Sequence, residues 1–126
     1  MTRLAVAAFL VAHGLVHAAI YAAVKPADGK APFDPSRSWA LAAAHVDPSI
    51  TREASVRLAW ITAGLFSLAG GALLVDMALW ATVASGAAVV GLLLKVTWFH
   101  PWLTVGVLLD VGIVWATVSQ WPPSLF

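Results

Sequence analysis

Residues 4–24 read LAVAAFLVAHGLVHAAIYAAV, 21 residues with no formal charge and two histidines one helical turn apart. A bilayer's hydrocarbon core takes about 20 apolar residues to cross as a helix. Lipid cannot satisfy backbone N–H and C=O groups, so a spanning run of this kind folds as an α-helix. Three further runs follow the same logic, at about 58–75, 79–99 and 102–121. Period-two alternation is absent from all four, which argues against a β-barrel. The expectation is all-α: one transmembrane domain over residues 1–126, an integral membrane four-helix bundle, with a polar connection at 25–57.

Composition agrees. The chain is 61% apolar and only 10% charged, against about 25% charged for soluble domains, and its mean hydropathy is +0.89. A net charge of +1 and the lack of a basic stripe exclude nucleic acid as a partner. With no cysteine, disulfides, thiolate metal sites and thiol nucleophiles drop out together. A cleavable signal peptide is the rival reading of the first run, with Arg3 as its basic region and small residues near Ala22 as its cleavage site. The run exceeds the usual 7–15-residue apolar segment and carries two histidines, which favours a retained span.

Breakers punctuate the spans. Lys25-Pro26-Ala27-Asp28-Gly29-Lys30 ends the first. Ser36–His45 predicts a short amphipathic helix in the first connection, and Asp47-Pro48 reads as N-cap and first residue of an extended second helix. Glu53 and Arg57, four apart, can pair on its exposed face. Asp76-Met77-Ala78 makes the second and third spans an antiparallel hairpin, with Asp76 expected to cap the third. His100-Pro101 separates the third from the fourth, and Trp121-Pro122-Pro123 stops the fourth. Trp60, Trp80, Trp98, Trp102 and Trp121 fall near span ends as an aromatic belt, while Trp115 is expected to pack between helices.

Lys25, Lys30, Arg37, Arg52 and Arg57 crowd the first connection, Lys95 borders the third, and the opposite side has only Arg3. The positive-inside rule places the first and third connections in the cytoplasm of a plasma-membrane protein, with both termini outside; Met1-Thr2-Arg3 argues for the reverse, because first helices often dominate. Small residues recur at Gly14, Ala18, Ala22 and at Ala63, Ser67, Gly71, stripes along which membrane helices approach closely.

Ionisable groups at bilayer depth face a bundle interior or water. Measured from the charged side, Asp110 lies about 13 Å in, between His17 at about 10 Å and His13 at about 16 Å. His13 and His17 share a face. The three form a candidate ligand-binding or proton-exchange site, bordered at its mouth by Lys95, Trp98 and Trp102. Lys95, one turn from its helix end, is expected to snorkel to the interface, with a salt bridge reaching toward Asp110 as the alternative. His100 is expected to cap, and His45 to be exposed.

Two imidazoles at i and i+4 can also chelate a metal, with His13, His17 and Asp110 as ligands and His100 closing the site from the cytoplasmic mouth. No H-E-x-x-H motif accompanies them. Bis-histidine haem lacks a midplane histidine on the other spans. Neither a nucleophile elbow, nor a phosphate-binding glycine loop, nor paired carboxylates are present, so no reaction or cofactor is named by a motif.

Ala12-His13-Gly14-Leu15-Val16-His17, the run Trp98-Phe99-His100-Pro101-Trp102 on to Gly106 and Asp110, Phe33-Asp34-Pro35-Ser36 and Ser38-Trp39 together resemble small four-helix membrane proteins of actinobacteria. That resemblance implies the architecture and no activity. The His13-Gly14 pair alone is similar to the first helix of DoxX-like four-helix proteins, some of them tied to quinone-linked thiosulfate oxidation, and implies at most the same architecture. Three functions remain open: binding or moving a hydrophobic or protonatable small molecule, a haem- or metal-binding redox subunit, and a structural or assembly subunit held by an Asp–His contact. The expected partners are the lipid bilayer, a lipid-soluble small molecule and a second copy of the chain, since four short helices enclose little volume.

Overall fold

A computed structural model of the chain describes residues 1–23 and 33–126. It is all-helical over those residues: α1 (Thr2–Ala22), α2 (Trp39–Ala43), α3 (Pro48–Leu74), α4 (Trp80–Thr97) and α5 (Thr104–Val118), with short 3₁₀ turns at Pro101–Leu103 and Pro123–Leu125. Four helices, at Thr2–Ala22, Pro48–Leu74, Trp80–Thr97 and Pro101–Val118, are long and apolar enough to cross a membrane. The expected end of the first span at Val24 and the breaker run from Lys25 to Lys30 lie outside the described residues.

Helices α2 and α3 start at side-chain caps. Asp47 accepts from the Ser49 amide at 2.7 Å ahead of Pro48, as the sequence predicts for the start of α3. Ser38 caps α2 by accepting from the Leu41 amide at 3.2 Å, which narrows the expected Ser36–His45 helix to five residues. Glu53 and Arg57 do pair.

Three helix ends share one device. His45, Asp76 and Gln120 take φ of 59°, 60° and 52°. In each case the next residue's amide reaches back five positions: Val46 to Leu41 O at 3.0 Å, Met77 to Ala72 O at 2.9 Å and Trp121 to Ala116 O at 2.8 Å. These are Schellman closures, which satisfy the orphan carbonyls of a helix C-terminus. Asp76 therefore ends α3 and does not cap α4, whose first turn has no side-chain cap; its carboxylate instead pairs with Arg3 at 2.8 Å.

The helices pack in the order α1–α3–α4–α5. Gly14 and Gly70 bring α1 onto α3: a Cβ at Gly14 would stand 2.7 Å from Phe66 Cβ, and one at Gly70 2.9 Å from the Ala7 carbonyl oxygen. Of the expected stripes, Gly14, Ala18 and Ala63 are buried, while Gly71 is exposed and gives its role to Gly70. Ser85 and Thr117 join α4 to α5 at 2.6 Å. The first connection clamps the end of α4, where Ser38 Oγ donates to the Thr97 carbonyl at 2.7 Å and Trp39 Nε1 to that of Val96 at 2.6 Å.

Two apolar clusters form the core. One gathers Ala7, Leu10, Phe66, Leu73, Trp80 and Ile113, and the other Tyr21, Phe33, Ala59, Leu94, Trp98 and Leu103. No helix–helix packing comparable to the other three interfaces joins α1 to α5 among the described residues. Trp115 is exposed on α5, its ring tilted 45° to that of Trp121 at 6.2 Å, and does not pack between helices as expected. The reason is that α5 turns only its Asp110–Ile113 face inward.

Candidate functional site: a buried ionic cluster on the seam between α1 and α5

Four polar side chains meet between the two apolar clusters. His13, His17, Lys95 and Asp110 are exposed by only 6%, 2%, 4% and 0%. Their spacing on three helices makes the meeting possible. His13 and His17 stand on one face of α1, four residues apart. Phe66 of α3 supports both rings, with centroids 5.0 Å from His13 and 5.8 Å from His17.

The α4–α5 pair is reciprocal. Gly91 lies four residues before Lys95 on α4, and Gly106 lies four before Asp110 on α5. A Cβ at Gly91 would stand 2.6 Å from Asp110 Oδ2 and 2.9 Å from His17 Nε2. A Cβ at Gly106 would stand 2.6 Å from Lys95 Cε. Each helix thus leaves a gap where its neighbour's charged side chain lies down.

The hydrogen bonds are closely determined. His13 Nε2 donates to Asp110 Oδ1 at 2.6 Å, and Lys95 Nζ donates to Asp110 Oδ2 at 2.6 Å. His17 Nδ1 meets the His13 carbonyl at 2.9 Å. A carbonyl only accepts, so Nδ1 carries the proton. The neutral ring then offers its Nε2 lone pair to Lys95, which donates to it. His17 Nε2 is also 3.7 Å from Asp110 Oδ2. Asp110 and Lys95 compensate each other's charge, the condition under which an ion pair tolerates an apolar setting.

The sequence expectations meet this geometry unevenly. His13, His17 and Asp110 do come together, as their depths suggested. Lys95 does not snorkel: Gly106 clears a path inward for its stem, and two acceptors hold the ammonium. Trp102 is exposed beside the site, whereas Trp98 is buried away from it, its Nε1 donating to the Pro35 carbonyl at 2.9 Å. His100 Nδ1 accepts from the Trp102 amide at 3.2 Å, the expected cap, and its ring lies near Phe33. Gly91, Phe66 and Tyr21 escaped the sequence reading. Gly91 was detectable, because its spacing to Lys95 repeats that of Gly106 to Asp110.

A cavity of about 340 Å³ opens on the cluster from the α1–α5 seam, lined by His13, His17, Tyr21, Lys95, Trp102 and Leu109 among others. A second, of about 290 Å³, continues along the same seam and is lined by Val6, Leu10, Leu108, Leu109, Gly112 and Ala116 among others. Leu109 borders both.

The nitrogen and oxygen atoms of His13, His17 and Asp110 that could bind a metal lie within 4.8 Å of one another. Lys95 already donates to two of them, His17 Nε2 and Asp110 Oδ2. A cation could use the set only by displacing the ammonium. His100 is outside this group. Comparisons with protein-family models, with curated proteins and with solved structures find no match to this chain.

Proposed function

We propose that this chain is an integral membrane protein that binds or moves a lipid-soluble small molecule in the seam between α1 and α5. The ligand's polar end would lie against Lys95 and His17. The observation that carries this reading is the buried ionic cluster opening sideways onto a cavity of about 340 Å³. Small-molecule sites combine a mostly apolar wall with a few convergent polar groups, and ionisable residues at bilayer depth mark such sites.

Membrane insertion is supported by the inside-out distribution of side chains. The charged residues of the cluster are buried, while Leu15, Val16, Leu68, Leu93, Val105 and Leu108 are each at least 50% exposed. Apolar exteriors on that scale are rare on soluble monomers. The Lys and Arg asymmetry supports a cytoplasmic first connection in a plasma membrane.

The metal or haem reading is less well supported, because Lys95 occupies the acceptors a cation would need. The purely structural reading shares the His13–Asp110 bond but leaves the open seam without a use. One experiment separates all three: native mass spectrometry, elemental analysis and a visible spectrum on protein taken from its own membrane. A small molecule bound to wild type and lost from the charge-neutral Lys95→Met, Asp110→Asn double variant is the expected result. Stoichiometric metal or a Soret band would replace this reading with the redox one, and a folded protein carrying neither would leave only the structural role.

A further inference from the structure

Resting on that reading of the seam, we infer that its ligand is an uncharged single-chain amphiphile. A hydrogen-bond-accepting head such as a carbonyl meets Lys95, and the chain runs past Leu109 into the second cavity. The donor inventory fixes the head. An ammonium has three protons to give and accepts none; two go to His17 Nε2 and Asp110 Oδ2. Tyr21 lines the same cavity, and its hydroxyl is the buried side-chain atom without a hydrogen-bond partner among the described residues. Buried polar groups left unpaired are rare and costly. The ammonium can only donate and the Tyr21 hydroxyl can donate as well, so a head that accepts satisfies both.

Charge selects among acceptors. Lys95 is already neutralised by Asp110, and a carboxylate head would bring a second negative charge beside that aspartate in a poorly screened interior. An uncharged carbonyl satisfies the same donors without repulsion. The tail follows from the second cavity, which lies along α1 and α5, is closed by Trp80 and Ala84 of α4 and by Trp121, Pro122 and Leu125, and has an almost wholly apolar wall. Each cavity is near the lower bound of small-molecule sites, about 300 Å³, which leaves room for one chain.

Gly112 provides the test. Gly112 lines the second cavity and a Cβ there would meet nothing within 4 Å, so Gly112→Leu adds its side chain at that wall with no clash at the backbone. Methyl palmitate, methyl octanoate and palmitate are titrated against full-length protein in nanodiscs, with bound species read by native mass spectrometry. Wild type should bind methyl palmitate more tightly than either of the others. Gly112→Leu should weaken methyl palmitate about tenfold, the worth of roughly two buried methylenes, and change methyl octanoate less than about twofold. Equal effects on both esters, no effect on either, or palmitate binding at least as well as its ester would overturn the inference. If none of the probes binds wild type, this ligand class fails. The seam site itself is judged separately, by the molecule recovered from the native membrane.

Discussion

Gly91 of α4 lies directly beneath Asp110 of α5, so closely that a Cβ at residue 91 would stand 2.6 Å from the carboxylate Oδ2. The neighbouring atoms are an ion-paired oxygen and an imidazole nitrogen, neither free to retreat. Gly91→Ala should therefore break the Lys95–His17–Asp110 contacts and destabilise the protein by about 1–3 kcal/mol, the usual range for overpacking. Gly86→Ala, on the same helix, is the control. Its Cβ would meet nothing within 4 Å, so the change should be neutral or stabilising by up to about 1 kcal/mol. Thermal unfolding of both variants in one detergent checks the pair, and equal behaviour would mean that the close approach is not a constraint.

The N-cap of α3 should be sensitive to acid. Asp47 accepts from Ser49 Oγ at 2.6 Å and from the Ser49 amide at 2.7 Å, which holds its carboxyl below the ordinary aspartate value of 3.8. A folded pKa below the unfolded one means stability that is fully present above the unfolded value. It is lost as the pH falls from about 3.8 through the lower folded pKa. The protection of the first-turn amides of α3 against hydrogen exchange, relative to their intrinsic rates at each pH, should fall across that window. Asp47→Asn keeps an accepting oxygen and should flatten the dependence, while Asp47→Ala should remove the protection at every pH.

The four long helices were legible because each leaves a long apolar run in the sequence, uncharged in residues 4–24, and because Pro48 and Pro101 mark helix starts. The meeting of His13, His17 and Asp110 could be anticipated from depth along the helices alone. The fate of Lys95 could not, since one turn from a helix end a lysine can point either way; Gly106 on another helix decides it. Asp76 was misread for a related reason. An aspartate between two helices suits an N-cap or a left-handed C-terminal position, and the choice depends on the amide of Met77 reaching Ala72. Trp115 was misread because, among the described residues, α5 packs closely on one long helix, α4, leaving more of its circumference outward than a four-way bundle implies.

Orientation can be tested with the chain's own composition, because it has no cysteine and any introduced thiol is unique. Arg37 and Met77 are both exposed and lie in the first connection and in the α3–α4 turn, at opposite ends of α3. Arg37→Cys should react with an impermeant maleimide only after the membrane is opened, and Met77→Cys in intact cells. Reversed labelling would invert the topology and make Arg3, paired with Asp76 at 2.8 Å, the residue that governs insertion.

Lys95 and Asp110 should be strongly coupled. Lys95→Met leaves a buried carboxylate without its compensating cation, and Asp110→Asn leaves a buried ammonium without its anion. Removing one member of a buried pair typically costs about 3–5 kcal/mol, mostly through the charge left behind. The double variant is neutral, retains an amide oxygen for His13 to donate to, and strands neither charge. It should lose less than the sum of the single losses by about 2–3 kcal/mol. Unfolding in mixed micelles measures all four corners of the cycle. Additive losses would show that the two charges do not depend on each other, and would remove the physical basis for an uncharged ligand head beside them.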